Sequence, residues 1–551
     1  MNRLVVALAV GGLTLPALCA PRAARAAGFE IPDNGTVALG RGGAFVAVAT
    51  DGTAIDYNPA GLTQQDGLQL TLDANFITHS VSFLRTDDQG TNGLVDIQSV
   101  KNSEKNFLSP IAAISYTHKF TVAALSVAAG VYGPPAEGKY AFPAPGDDPA
   151  SDSPNRYQLI KNNIFILYPT ISVAYRLPIS RVYAAIGVSG QMVISHFQFN
   201  QDLYAQPTLT SILGFPKDDQ GHSPGLGDTY RGPGVSSSTM CPKTYDPNCH
   251  ATAALGSAAS SPTKLHLEDP IWDANVNVDV TGKKAFTAVL GALVKAGPVS
   301  VGASFRPGYT LNAEGPLTVT LPGILTAPGV DDSPNGPSTT FGAEAHVPDG
   351  SRTKLKLNWP SLFRAGVDVD IKPVPGKFDV AGEFTYETWS VVDQFLLTPE
   401  NVNITAQAGG NPITLPVNPV SIPKHMQDSQ SYRLGAQWQL PITKVLVQTR
   451  LGGYYEKSAI PEPYTTIDLA HFSRFAATAG ASVGINGGNF FGPLTLDLAA
   501  LYSPPVTREV RDSQIMLTAS DPYLATDAVG NGNYTSSIFI FSVGLRAHLD
   551  I

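Results

Sequence analysis

From Leu68 onward the chain alternates apolar and polar residues in pieces of roughly ten, the length of a membrane-spanning strand. In "LQLTLDANF", Leu68, Leu70, Leu72, Ala74 and Phe76 share one face, and Gln69, Thr71, Asp73 and Asn75 the other. "LFRAGVDVDIK" repeats the pattern, with Phe363, Ala365, Val367, Val369 and Ile371 set against Arg364, Gly366, Asp368, Asp370 and Lys372. In the closing segment Phe539, Phe541, Val543, Leu545, Ala547, Leu549 and Ile551 alternate with Ser542, Gly544, Arg546, His548 and Asp550. A period of two marks strands with two unlike faces. Such pieces begin near residues 68, 109, 121, 164, 182, 285, 298, 362, 378, 431, 445, 474, 494 and 536.

Alternation alone would also suit a soluble sandwich. The connections favour a membrane barrel. Short ones lie near His118–Thr121, Leu177–Arg181, Ala296–Pro298, Pro373–Lys377, Leu440–Lys444 and Asn486–Pro493. Long polar ones cover about 78–108, 134–162, 200–283, 315–354, 397–430 and 504–533. Short turns at one end and long loops at the other are the pattern of outer-membrane barrels, and an even strand count closes the sheet without an edge. The expected fold is all-β, a 14-stranded antiparallel transmembrane β-barrel over 67–551.

Composition agrees. Charged residues make up 15%, below the usual quarter or so of soluble domains, and the 52 Gly and 44 Pro are not concentrated in one linker. A net charge of −9 and the lack of a basic stripe interleaved with aromatics argue against nucleic acid as a partner. Arg3, the apolar stretch Leu4–Leu18 and the small-x-small site Ala24-Arg25-Ala26 read as a signal peptide over 1–26, so export is expected. A helical anchor is the alternative, but the run is short of the roughly 20 residues a span needs and Pro16 breaks it. In an exported chain Cys241 and Cys249, in "MCPKTYDPNCH", are expected to form a loop disulfide. Zinc, with His250 as third ligand, lacks a second ligand pair, and no metal or other cofactor is expected.

A wide barrel leaves an open lumen unless something fills it. Residues 27–66 are the candidate. Ala38, Gly40, Gly42, Gly43, Ala44, Ala47 and Ala49 let backbone pack closely, and Leu39, Phe45, Val46 and Val48 are too apolar for a disordered arm.

At this point the sequence resembles the FadL/TodX family of outer-membrane transporters of long-chain fatty acids and aromatic hydrocarbons. "AGF", "LGRGGAFVA" and "DGTAIDYNPAGL" resemble that family's N-terminal hatch, and "AAGVYGPP" (128–135) its third strand. "WPSLFRAGVDVDI" with "FDVAGEFTYETWS", and "SYRLGAQWQL" with "VQTRLGGYYEKSAIP", resemble two later strand pairs. The 200–283 insertion and the non-aromatic Ile551 depart from the pattern.

The resemblance implies a barrel closed by a hatch, capture of a hydrophobic substrate at outer loops, and lateral release into the membrane. Asn58-Pro59-Ala60 would be the hatch turn, because Pro59 has no N–H and holds Asn58 extended; an ordinary turn before the first strand is the rival reading. Gly130, Gly133 and Pro134 would interrupt strand three for a lateral opening, or simply end it. By parity Arg306, Arg364, Arg433 and Arg450 face the lumen, with Asp368, Glu383 and Asp497. Arg41 is expected to pair with one of these carboxylates. An inward Arg could receive a substrate carboxylate, or belong to a lumen salt network alone.

The expected function is passive uptake of long-chain fatty acids by a monomer in the bacterial outer membrane, with membrane lipid as its other partner; aromatic hydrocarbons are the alternative. An outer-membrane lipid hydrolase would need Ser and His together on the lipid face, and His79, His118, His196, His471 and His548 offer no recognisable nucleophile motif. A general porin would lack the hatch, and an adhesin-like barrel is a further rival.

Overall fold

Fourteen antiparallel wall strands are found among the described residues of this computed structural model. The described residues are 28, 34–86, 99–133, 139–142, 154–204, 273–320, 342–344, 352–371, 376–400, 402–408, 411–416, 419–442, 445–485, 491–515 and 528–549. The strands are β1 (Gly67–Arg85), β2 (Asn106–Lys119), β3 (Ala124–Tyr132), β4 (Lys161–Arg176), β5 (Tyr183–Tyr204), β6 (Ala285–Ala296) and β7 (Val299–Arg306). Then come β8 (Leu362–Ile371), β9 (Lys377–Glu387), β10 (Ser429–Ile442), β11 (Val445–Glu456), β12 (Arg474–Ile485), β13 (Phe491–Val510) and β14 (Gly532–Leu549). Each pairs with the next, and β14 pairs back onto β1 from Leu68↔Leu549 to Arg85↔Gly532, so the sheet is closed. Every strand begins within four residues of where the alternation places it. No helix among the described residues is long and apolar enough to cross a membrane.

Strand length departs from expectation. β1, β5, β13 and β14 run for 19, 22, 20 and 18 residues, so parts of the supposed long loops are strand. Further strands at Asp273–Gly282, Tyr309–Gly315, Leu317–Thr320, Arg352–Trp359, Gln394–Glu400 and Val420–Pro423 extend the sheet beyond the wall at the long-loop end.

The physical reason is an inversion of the alternation. Along the lower part of β5, Ile186, Val188 and Ile194 face out while Ser189, Gln191 and Ser195 face in. Two residues later Phe197 and Phe199 face in and His196 and Gln198 face out. The band below carries exposed apolar side chains all round: Phe76, Leu108, Ile171, Leu290, Val301, Leu434, Leu451 and Phe541 among them. Tyr116, Phe120 and Tyr175 rim it at the short-turn end, and Phe286, Tyr432, Phe475 and Tyr502 at the other. That is a lipid-facing band between two aromatic girdles. Above it the sheet is apolar inside and polar outside, as in a soluble protein.

Residues 34–66 fill the lumen at the level of the band. They form helix α1 (Thr36–Gly40), helix α2 (Ala54–Tyr57) and a 3₁₀ turn, Pro59–Gln64, and are buried almost throughout. The wall meets them with glycines. A methyl on Gly187 or Gly291 would run into Asn58–Ala60, on Gly302 or Gly366 into Val46–Ala47, and on Gly435 or Gly452 into Arg41–Gly42. Gly480 touches Gly40 in the same way. All seven lie on β5 to β8 and β10 to β12, so the plug is seated backbone-on-backbone against that part of the wall. The N-terminal 26 residues, Pro134 and the pair Cys241 and Cys249 lie outside the described residues.

Candidate functional site

The plug is fixed by side chains that the two segments exchange. Arg41, fully buried, reaches Asp368 at 3.2 Å and Asp379 at 2.5 Å on neighbouring wall strands. Asp368 was legible as an inward carboxylate; Asp379, on the same inward face of β9 as Ala381 and Glu383, was missed. Glu383 accepts two backbone N–H bonds, from Phe45 and Val46, each at 2.8 Å. Asn58 is buried and ties three elements together. Its amide donates to the carbonyls of Val46 at 2.8 Å and of Ala292 on β6 at 2.9 Å, while its side-chain oxygen accepts from the N–H of Ala60. Asn58 therefore caps the 3₁₀ turn that starts at Pro59 and docks it on the wall. Asn58→Ala would leave the buried carbonyl of Val46 and the buried N–H of Ala60 without their side-chain partner, at about 1–3 kcal/mol each. The expected outcome is faster hydrogen exchange over 34–66 with a barrel that still resists heat; loss of the heat-resistant form would show that the turn is needed to build the wall.

The four inward arginines all face the lumen and divide by partner. Arg364 donates to the carbonyl of Asp56 at 3.0 Å, stands 3.7 Å from its carboxylate and lies over the Tyr57 ring. Arg433 bonds Ser431 at 3.1 Å and the carbonyl of Gly42 at 3.4 Å, above Tyr454. Arg450 belongs to the wall, bonding Gln437, Gln448 and Ser482, 3.7 Å from Asp497, which also takes two bonds from Arg546. Arg306 stands over the Tyr168 ring, 5.7 Å from its centroid. Two of the four thus hold the plug and one braces the wall.

Beside the plug the ladder of the wall is interrupted among the described residues. β3 stops at Tyr132, which pairs with Ile111 on β2 and Tyr168 on β4. Both neighbours run on: Asn106–Pro110 keeps its pairing to β1, and 164–167 its pairing to β5. The row between them resumes at Lys139–Ala141, paired with 161–163. Pro110 and Pro169 stand on the flanking strands at this level, residues that cannot donate to a ladder. Gly133 lies at the start of the break. Gly130 does not interrupt the ladder: it pairs with Ala113 and Thr170, and its missing side chain makes room for Ile55 of the plug. Tyr132 links the break to the plug, donating to Asp56 at 3.1 Å.

Above the plug the inward faces of the extended strands are apolar. Phe197, Val278, Leu311, Leu355, Leu357, Trp359, Trp389 and Phe395 form one continuous core with Phe45, Val48, Tyr57 and Leu62 of the plug. Gly28 lies against the Trp389 indole, so the chain at Gly28 reaches this apolar core. Sequence parity could not find this core because Val278 was assigned to the 200–283 loop and the other wall residues fell between the roughly ten-residue strands and the loops.

His79 and Ser536 lie 2.8 Å apart, but both are buried in the barrel interior, and Tyr140 rather than a carboxylate takes the other ring nitrogen. A barrel hydrolase acting on membrane lipid would need that pair on the lipid face.

No protein-family model and no curated protein matches this chain. Among solved structures, a FadL homologue from Pseudomonas aeruginosa is similar at 15% identity and a TM-score of 0.59, over 94% of this chain and 99% of its own. The toluene transporter TbuX of Ralstonia pickettii is similar at 14% identity and a TM-score of 0.53, over 95% of this chain and 100% of its own. The toluene transporter TodX of Pseudomonas putida shows 12% identity and a TM-score of 0.52, over 94% and 98%. The chain therefore has the FadL/TodX fold.

Proposed function

We propose that this chain is an outer-membrane channel for passive uptake of hydrophobic molecules, long-chain fatty acids first among them. One observation carries the reading: an apolar interior at the long-loop end leads down to the plug, and among the described residues the wall ladder beside that plug is interrupted. The substrate enters the chamber from the long-loop side, displaces the Gly28 arm and the plug face around Asp56, and leaves through the break below Lys139–Ala141. Lateral exit keeps its apolar part out of water, where each exposed CH₂ costs about 0.8 kcal/mol. Coupling to an energy source is not required, because the path runs between two apolar environments.

Arg306 is the residue proposed to receive a fatty-acid carboxylate, because it stands over Tyr168 on the lumen side of the break. Aromatic hydrocarbons are the second reading, favoured by the toluene transporters TbuX and TodX among the similar structures. Uptake of labelled oleate and toluene by cells carrying this chain as their only such channel separates the readings. Oleate uptake that falls on Arg306→Gln supports the first, and toluene uptake indifferent to that change the second. Failure to take up either, with free passage of small sugars, would mean a porin.

A further inference from the structure

The outward face of the extended sheet is polar, as the inversion dictates, but its charge is not evenly spread. Strand Arg352–Trp359 points Arg352, Lys354 and Lys356 outward, with Thr353, Leu355 and Leu357 turned in. Lys356 stands opposite Asn312, whose carbonyl accepts the backbone N–H of Lys283, so Lys283 and Lys356 share one level across three strands. Lys284 follows. Among the described residues the acids nearby are Glu314, which reaches Lys283 and Arg352, Glu400, which reaches Lys354, and Asp279 one strand over, held by His196 and Gln198. These are exposed pairs, worth little in water, and the patch keeps more cations than anions. The whole chain carries −9, so this face runs against the molecule's own balance.

Its height is the second observation. Lys284 and Lys283 lie two and three residues beyond Phe286, the 70% exposed aromatic at the upper rim of the lipid-facing band, or about 7–10 Å along the strand. That is where the headgroups of the surrounding leaflet begin.

We propose that this face, centred on Lys283, Lys284, Arg352, Lys354 and Lys356, binds the phosphates of a phosphorylated glycolipid in the leaflet around the barrel. The lysines supply mobile point charges and Arg352 a planar fork, the chemistry that holds phosphate at a membrane surface. The inference rests on the membrane placement proposed above, not on what the channel carries. Its readout is binding by the purified full chain, so its failure would leave the transport reading standing, and failed uptake would leave this one standing.

The test is titration of the purified chain in detergent with bisphosphorylated lipid A, with fully dephosphorylated lipid A, and with inorganic phosphate. The wild-type chain is expected to bind the bisphosphorylated lipid at least 10-fold more tightly than the dephosphorylated one. Lys354→Glu/Lys356→Glu is expected to erase that difference, and Lys101→Glu/Lys161→Glu, exposed lysines on the β2–β4 side, to preserve it. Equal binding by the Lys354→Glu/Lys356→Glu variant, equal loss in the control variant, or saturation by inorganic phosphate alone would each overturn the proposal.

Discussion

Arg41→Met is expected to convert a sealed barrel into one that leaks small hydrophilic solutes. Arg41 is fully buried and is the charge that Asp368 and Asp379 share. Methionine keeps most of the bulk and removes the charge. Two carboxylates then face each other across β8 and β9 with nothing between them, and breaking a buried pair from one side costs about 3–5 kcal/mol. The wall has thirteen other strand pairings in which to keep its shape. The plug is held by its glycine seat and by side-chain bonds, those of Asn58, Glu383, Arg364, Arg433, Tyr132 and Thr36 among them, and not by a ladder, so the strain is relieved by the plug moving. Liposomes loaded with the variant should swell in a small sugar at least 10-fold faster than those with the wild-type chain, with the heat-resistant band unchanged on a gel. The triple variant Arg41→Met/Asp368→Asn/Asp379→Asn should restore the seal in large part, because removing both signs together leaves no uncompensated charge. A variant that swells no faster than wild type would show that Arg41 does not hold the plug.

How far this arrangement was legible in the sequence depended on which rule each residue obeyed. Inside the lipid band the rule is parity, and parity placed Arg364, Asp368, Glu383 and Arg433 correctly because apolar residues there face out and polar ones in. Beyond Ile194 on β5 the same strand obeys the opposite rule. Leu355, Leu357 and Trp359 therefore fell between the supposed loop 315–354 and the strand beginning near 362, although they belong to the apolar core above the plug. Their partners are also remote in sequence: 352–359 pairs with 309–315 and 394–400 across long connections, which no local pattern reveals. The glycine seat was hidden for a different reason. A lone Gly in a strand reads as a weak point, and only the plug's backbone lying against Gly302, Gly435 and Gly452 shows what each is for. Pro59 and Asn58 stood out because a proline-fixed bend is a local property, and the partners of Asn58 on β6 could not have been named from it.

Joining β2 to β4 across the break is expected to stop hydrophobic uptake while leaving the barrel intact. Leu108 lies three residues above Ile111, and Phe165 three above Tyr168, and those two residues flank Tyr132 in register. Leu108 and Phe165 therefore stand level on either side of the break, both exposed toward lipid. As residues of β2 and β4 they are two strand spacings apart, roughly 9–10 Å, too far for a disulfide but within reach of a short reducible bis-maleimide. In a Cys241→Ser/Cys249→Ser background, Leu108→Cys/Phe165→Cys closed by that linker should lower oleate or toluene uptake at least 10-fold, and reduction should restore it. Tyr432→Cys/Phe475→Cys is the matched control: these residues are also two strands apart and lipid-exposed, but Tyr455 of β11 stands between them in an unbroken ladder. Linking that pair should change nothing. Uptake that continues at the wild-type rate with the Leu108–Phe165 linkage confirmed by mass would mean that substrate passes down beside the plug, and the lateral route would have to be abandoned.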